Sequence, residues 1–184
     1  PISIKTSGAP ASKEIESIVK NDLEFTGLFN FVDPDVPGAE IAASMEVDIS
    51  DGLKVMLSVN DLIDNKEVLK KKLSATKIRS MAHSISNDIY YIATGKKGIF
   101  RTKLSYLVNT TAGNKELRLM DWDGAETIKL ITKGLTSSHS WSQDGRYLLY
   151  SSERDRKWKI YILNFKEYRE MVLFSSQGLN LVGG

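Results

Sequence analysis

The sequence predicts two domains: an α/β (α+β) N-terminal domain with two helices on a small mixed sheet, followed by the beginning of an all-β propeller. Three observations carry this. Helix-period apolar stripes alternate with strand-period segments as far as residue 97; from residue 98 only short strands and turns follow; and those strands recur every 43–44 residues. Leu104-Ser105-Tyr106 lies over Leu148-Leu149-Tyr150 at an offset of 44, and the stretch ending in Trp122 lies over the one ending in Phe165 at 43. Leu130 falls on Leu173, and Gly134-Leu135 on Gly178-Leu179. A repeat of about 40–45 residues holding four short strands is the signature of a propeller blade.

Composition bounds the rest. A chain of 184 residues, 41% hydrophobic and 26% charged, is ordinary globular material with room for one large or two small domains. No apolar run approaches the roughly 20 residues that span a bilayer, so direct membrane insertion is not expected. Pro1-Ile2-Ser3-Ile4 lacks a charged start and apolar core, so an exported form would already have lost its signal. Without cysteine, disulfides, thiolate metal sites and a cysteine nucleophile are excluded. A net charge of +2 is too small to imply nucleic acid, and Lys70-Lys71-Lys72 and Lys96-Lys97 read as solvated surface.

Taken in order, residues 1–6 alternate as a strand, broken by Ser7-Gly8-Ala9-Pro10. From Ser12 as N-cap, Ile15, Ile18, Val19 and Leu23 recur at helical spacing until Gly27. Residues 28–32 read as a short strand stopped by Asp33-Pro34-Asp35. Residues 41–49 and 53–62 form a hairpin, since Asp51-Gly52 supplies the turn chemistry, and residues 67–73 return as a third strand. Ile78, Met81, Ala82, Ile85, Ile89 and Ile92 make the second helix, ended by Thr94-Gly95. Both helices are expected to cover the sheet, and the boundary falls in the basic connector 96–101, giving domains 1–97 and 98–184.

Beyond it, strands at 103–108, 116–121 and 127–132 supply three of one blade. Those at 137–141, 146–152, 158–164 and 169–174 supply a full second, and residues 179–184 would start a third. The hairpin Trp141-Ser142-Gln143-Asp144-Gly145-Arg146 is the best-defined turn, because Asp can bond its own backbone and Gly can take positive φ.

Several residue sets invite a chemical reading, and most resolve to structure. His83 and His139 are the only histidines, 56 residues apart, so a two-histidine metal site is not expected. His83 borders the apolar stripe of its helix and reads as packing or hydrogen bonding at the domain junction with Phe100. His139 sits on the strand that lines a propeller's channel, where partner contact and plain lining compete. Asp121-Trp122-Asp123-Gly124 lacks the further oxygen ligands of a calcium loop and reads as a turn. Asp22 with Glu24, and Asp33 with Asp35, read as helix-surface and turn acids, and Trp141 and Trp158 as core between blades. No Gly-x-Ser-x-Gly elbow, phosphate loop or dinucleotide fingerprint occurs. Leu179-Asn180-Leu181-Val182 places apolar anchors around one amide, which suits protein recognition, with packing between blades as its rival. Partner contacts are therefore expected at His139, Leu179, Asn180 and Val182, and neither a cofactor nor a small-molecule substrate is.

The run Ala82-His83, Asp88-Ile89-Tyr90, Thr94-Gly95, Gly98, Phe100, Thr102 and Tyr106 resembles the domain junction of the TolB family, the propeller proteins of the bacterial Tol-Pal envelope system. Pro1-Ile2-Ser3-Ile4, Asn21-Asp22-Leu23, Gly27-Leu28-Phe29 and Gly38-Ala39 fit that family's N-terminal domain. Asp123-Gly124, Trp141-Ser142 and Asp144-Gly145 fit its blade repeat. Two departures stand out: Gln143 occupies a place where the family's repeat usually has Pro, and the connection from Asp35 to Gly38 is short. The family closes six blades, so fewer than two are expected here, and its TolA-contacting arm would precede residue 1.

What the resemblance implies is a non-enzymatic periplasmic protein that binds the lipoprotein Pal, TolA and other Tol proteins. It would maintain outer-membrane integrity and support envelope constriction at division, its domains communicating around His83 and Phe100. The alternative is the propeller-bearing part of a prolyl-oligopeptidase-type peptidase, which would need a nucleophile elbow elsewhere in the protein. A bare structural scaffold is a third reading.

Overall fold

The computed structural model describes residues 1–111 and 113–183, and the chain divides into two compact units, Pro1–Thr102 and Lys103–Gly184. The first unit runs β1 (Ile2–Gly8), α1 (Ala11–Phe25), β2 (Phe31–Val32), β3 (Ile41–Asp48), β4 (Leu53–Asp61), β5 (Lys66–Ala75) and α2 (Ile78–Thr94). Its sheet has the order β2-β1-β3-β4-β5, with β1 parallel to both neighbours and β3, β4 and β5 antiparallel. Parallel pairing of β1 and β2 needs a crossover, and α1 supplies it. Strict alternation in β3 and β4 buries Ala43, Met45, Val47, Val55, Leu57 and Val59 on one face. Against that face lie Ile15, Val19 and Leu23 of α1 and Met81, Ala82, Ile85 and Ile89 of α2, all buried. Each of these side chains larger than alanine contributes about 1.5–3 kcal/mol by leaving water.

Two local readings need correction. Ser12 does not cap α1: the helix begins at Ala11 after Pro10, which makes no side-chain cap bond, and Ser12 is buried inside the first turn. Proline serves at a helix start because its missing N–H would have lacked a partner there anyway. Lys71 is not simply solvated, since its ammonium reaches Asp88 of α2 at 2.8 Å.

Gly8 ends β1 with φ +95, and a Cβ there would stand 2.2 Å from the Val47 carbonyl oxygen. Gly8→Ala therefore combines a left-handed backbone with a collision against an inner strand, and is expected to cost about 3 kcal/mol. A urea titration reads it as a lowered midpoint at unchanged slope.

The second unit runs β6 (Lys103–Asn109), β7 (Lys115–Asp121), β8 (Ile128–Ile131), β9 (Leu135–Trp141), β10 (Tyr147–Arg154), β11 (Lys157–Asn164) and β12 (Arg169–Phe174). β9 to β12 form a four-stranded antiparallel meander, β6, β7 and β8 a three-stranded one, and a single parallel pairing of Lys115 with Leu135 joins them. The core is Leu117, Ile131, Leu148, Tyr150, Tyr161 and Leu163, with Trp141 stacked on Phe165 at 4.9 Å at its border. Trp141 also donates its indole N–H to Ser105 Oγ of β6 at 2.7 Å, so it ties the two meanders, whereas Trp158 is half-buried.

The third-blade strand expected at 179–184 is absent from residues 179–183, and Gly184 lies outside the described residues. The segment is held by hydrogen bonds that involve side chains, from the Asn180 amide and to serine hydroxyls, instead of a strand ladder.

The turn between β9 and β10 shows how Gln143 is accommodated. Asp144 Oδ1 accepts from Ser142 Oγ (2.7 Å) and the Arg146 N–H (3.1 Å), while Ser142 Oγ accepts the Tyr147 N–H (2.9 Å). Side-chain bonds thus do what a proline ring would do by restricting φ. The bonds from Ser142 and Arg146 hold the Asp144 carboxyl down at about 2, below its ordinary 3.8. A folded-state value below the unfolded one stabilises the fold fully above pH 3.8, and the contribution fades as pH falls toward 2. A carboxyl NMR titration is expected to give Asp144 a midpoint near 2, rising in Ser142→Ala.

Candidate functional site

The segment carrying Leu179, Asn180 and Val182 crosses one face of the four-stranded meander. Asn180 is 6% exposed: its amide NH₂ donates to the Trp158 carbonyl (2.9 Å) and the Ser176 carbonyl (3.0 Å), and its oxygen accepts from Ser176 Oγ (2.7 Å). Further on, the Val182 N–H donates to Ser151 Oγ at 2.7 Å and is within 3.3 Å of Ser138 Oγ. Ser138 and Ser151 are cross-strand partners of β9 and β10, so their hydroxyls stand together on one face. The segment is pinned at both places, while Leu179 (63%) and Leu181 (49%) remain exposed. What it presents outward is thus two leucines, and the Asn180 amide is spent on internal bonds.

His139 belongs to the other face. It pairs with Tyr150, one position along from the Ser138–Ser151 pair, and alternation turns it away from the segment. Its Nε2 lies 3.2 Å from the Ser105 carbonyl oxygen of β6, and since a carbonyl only accepts, Nε2 carries the proton. The structure therefore does not bring His139 together with Leu179, Asn180 and Val182.

On the same face as Tyr150 lies a charged cluster that the sequence did not announce. Arg154 forks onto Glu170, Nη1 to Oε1 at 2.5 Å and Nη2 to Oε2 at 2.9 Å, and its Nη2 also reaches the Tyr150 hydroxyl at 2.9 Å. The Tyr150 O–H donates to Glu170, and the guanidinium sits 4.1 Å from the Tyr161 ring centre. Burial raises the Tyr150 phenol above its usual range, with the Glu170 bond adding to it. Burial alone would also raise Glu170, but the bonds from Arg154 and Tyr150 outweigh it and hold the carboxyl low.

In the first unit, His83 is 3% exposed and its Nδ1 donates to Asp22 Oδ2 of α1 at 2.8 Å. Ser86 Oγ donates to the same oxygen at 2.6 Å, and Arg79 Nη2 lies 3.3 Å from His83 Nε2. Asp22 is fully buried, which corrects its reading as a helix-surface acid. The signal was available: position 22 follows Ile15, Ile18 and Val19 at helical intervals and so lies on the buried stripe. Serine and histidine both bond this carboxylate, and the shared acceptor fastens α1 to α2. Phe100 is buried, edge-on to Tyr90 at 5.7 Å, with its N–H 3.3 Å from Asn87 Oδ1.

No family profile matches the sequence. Individual relatives do. TolB of Legionella pneumophila (strain Corby) is 26% identical over 203 residues, covering 98% of this chain and 48% of that protein. TolB of Chromobacterium violaceum is 27% identical over 195 residues, covering 93% of this chain and 45% of that protein. The crystal structure of TolB from Acinetobacter baumannii matches 98% of this chain and 51% of that one, with a TM-score of 0.83 at 21% identity. The chain is TolB-like.

At that identity the structural match speaks for the fold: this TolB-like chain shares the architecture of part of a propeller protein. It spans about half the length of the curated relatives it matches. Those relatives are named Tol-Pal system protein TolB, and the peptidase alternative is not favoured.

Proposed function

We propose that the TolB-like chain belongs to a periplasmic Tol-Pal component that acts by binding proteins, Pal and Tol proteins among them, and so serves envelope integrity without catalysing a reaction. The observation that carries this is the similarity to Tol-Pal proteins over 98% of the chain. Among the described residues no helix is long and apolar enough to cross a membrane. In this reading Leu179 and Leu181 supply apolar contact, Val182 and Asn180 hold them in place, and His139 orients β9 from its other face. The cluster at His83 and the packing of Phe100 fix the first unit's shape. Exposed apolar anchors on a pinned segment suit protein recognition because little entropy is lost when the partner arrives.

A pull-down of the full-length protein against a soluble Pal domain tests the reading. Retention is expected, and Leu179→Glu with Leu181→Glu is expected to abolish it with the circular dichroism spectrum unchanged. No retention of the unsubstituted protein would remove the functional claim and leave the fold.

A further inference from the structure

The sheet of the first unit ends at β5, so the side of that strand away from β4 has no strand partner among the described residues. Along such an edge every second residue directs its N–H and C=O outward. α2 runs beside it, and between them lies a cavity of about 400 Å³ lined by Lys71 and Thr76, by Ser80, Ser84 and Asp88 of α2, and by Arg101. The lining is largely hydroxylic, with two cations, Lys71 and Arg101, and one acid, Asp88. Lys71 is shared with Asp88 at 2.8 Å, whereas Arg101 is exposed and enters no ion pair among the described residues. Strand alternation places Lys70 and Lys72 on the other face of β5, both exposed.

These lysines admit one kind of added strand and reject another. A second copy of β5 would bring lysine opposite lysine, a like-charge juxtaposition that destabilises pairing. An extended segment with alternating acidic side chains turns them all to one face, and each face of this edge offers positive charge to receive them: Lys71 and Arg101 on the helix side, Lys70 and Lys72 on the other. Main-chain bonds to the edge would supply affinity and the charges would supply selectivity. We infer that the groove between β5 and α2 binds an acidic, extended peptide segment of a partner protein as a sixth strand of this sheet.

The test is a titration of the ¹⁵N-labelled 184-residue chain with an acetylated peptide of about eight residues alternating glutamate with valine. Its lysine-for-glutamate counterpart serves as control. Expected are amide shift changes confined to residues 69–76, the first turns of α2 and Arg101, and binding weakened at least about tenfold in Lys72→Glu with Arg101→Glu. Both sites are exposed, so the double variant keeps its fold, checked by its own amide spectrum. Equal binding of the lysine peptide, shift changes elsewhere, or no binding up to about 1 mM would each overturn the inference. So would concentration-dependent self-pairing through β5.

Discussion

Tyr150→Ala is expected to destabilise the second unit by about 4 kcal/mol. Tyr150 is fully buried, stacked on Tyr161 at 5.3 Å, and surrounded by Leu117, Ile131 and Leu148 from three strands. Removing the ring opens a cavity at the centre of that cluster, and strands locked in two ladders can close it only in part. Tyr150→Phe separates the ring from its hydroxyl. Glu170 keeps both bonds from Arg154, so the cost is expected to be smaller, about 1–2 kcal/mol. Urea denaturation of the two variants checks the order. A Tyr150→Ala loss below that of Tyr150→Phe would show that the polar cluster, and not the ring, holds the meanders together.

The second large effect lies in the first unit. Asp22→Ala removes the acceptor shared by His83 Nδ1 and Ser86 Oγ, both buried, and is expected to cost about 3 kcal/mol. Asp22→Asn keeps one oxygen and nearly the same shape, so about half the loss is expected. His83→Ala combined with Asp22→Ala should cost less than the sum of the single changes, by about 1–2 kcal/mol, because each group's partner is already gone. Simple additivity in that cycle would mean that the His83–Asp22 bond adds nothing to the joining of α1 and α2.

The contrast between these two regions shows what a linear reading can reach. Both helices and the β3–β4 hairpin were legible because their apolar period and the Asp51-Gly52 turn pointed the same way. The meanders were legible because a repeat shows itself without any knowledge of contacts. The Asp22–His83 bond spans 61 residues and the Arg154–Glu170 fork 16, and neither leaves a local pattern. Asp22 could still have been placed inside by helical phase, but its acidic character argued for the surface. The failure at 179–183 has another cause. Leu179, Leu181 and the intervening amide do alternate like a strand, yet Asn180 turns its amide to the Trp158 carbonyl, and the Val182 N–H goes to a serine hydroxyl instead of a ladder. Side-chain acceptors competing for backbone donors are not visible in a hydropathy pattern.

In the proposed function, the segment over the four-stranded meander is a protein-binding surface. Amide hydrogen exchange of the full-length protein, alone and with saturating soluble Pal domain, tests it most directly. Slower exchange at residues 176–183 and in the adjoining strands β9 and β10 is the predicted result. Slowing confined to other parts of the protein, or none anywhere, would contradict it.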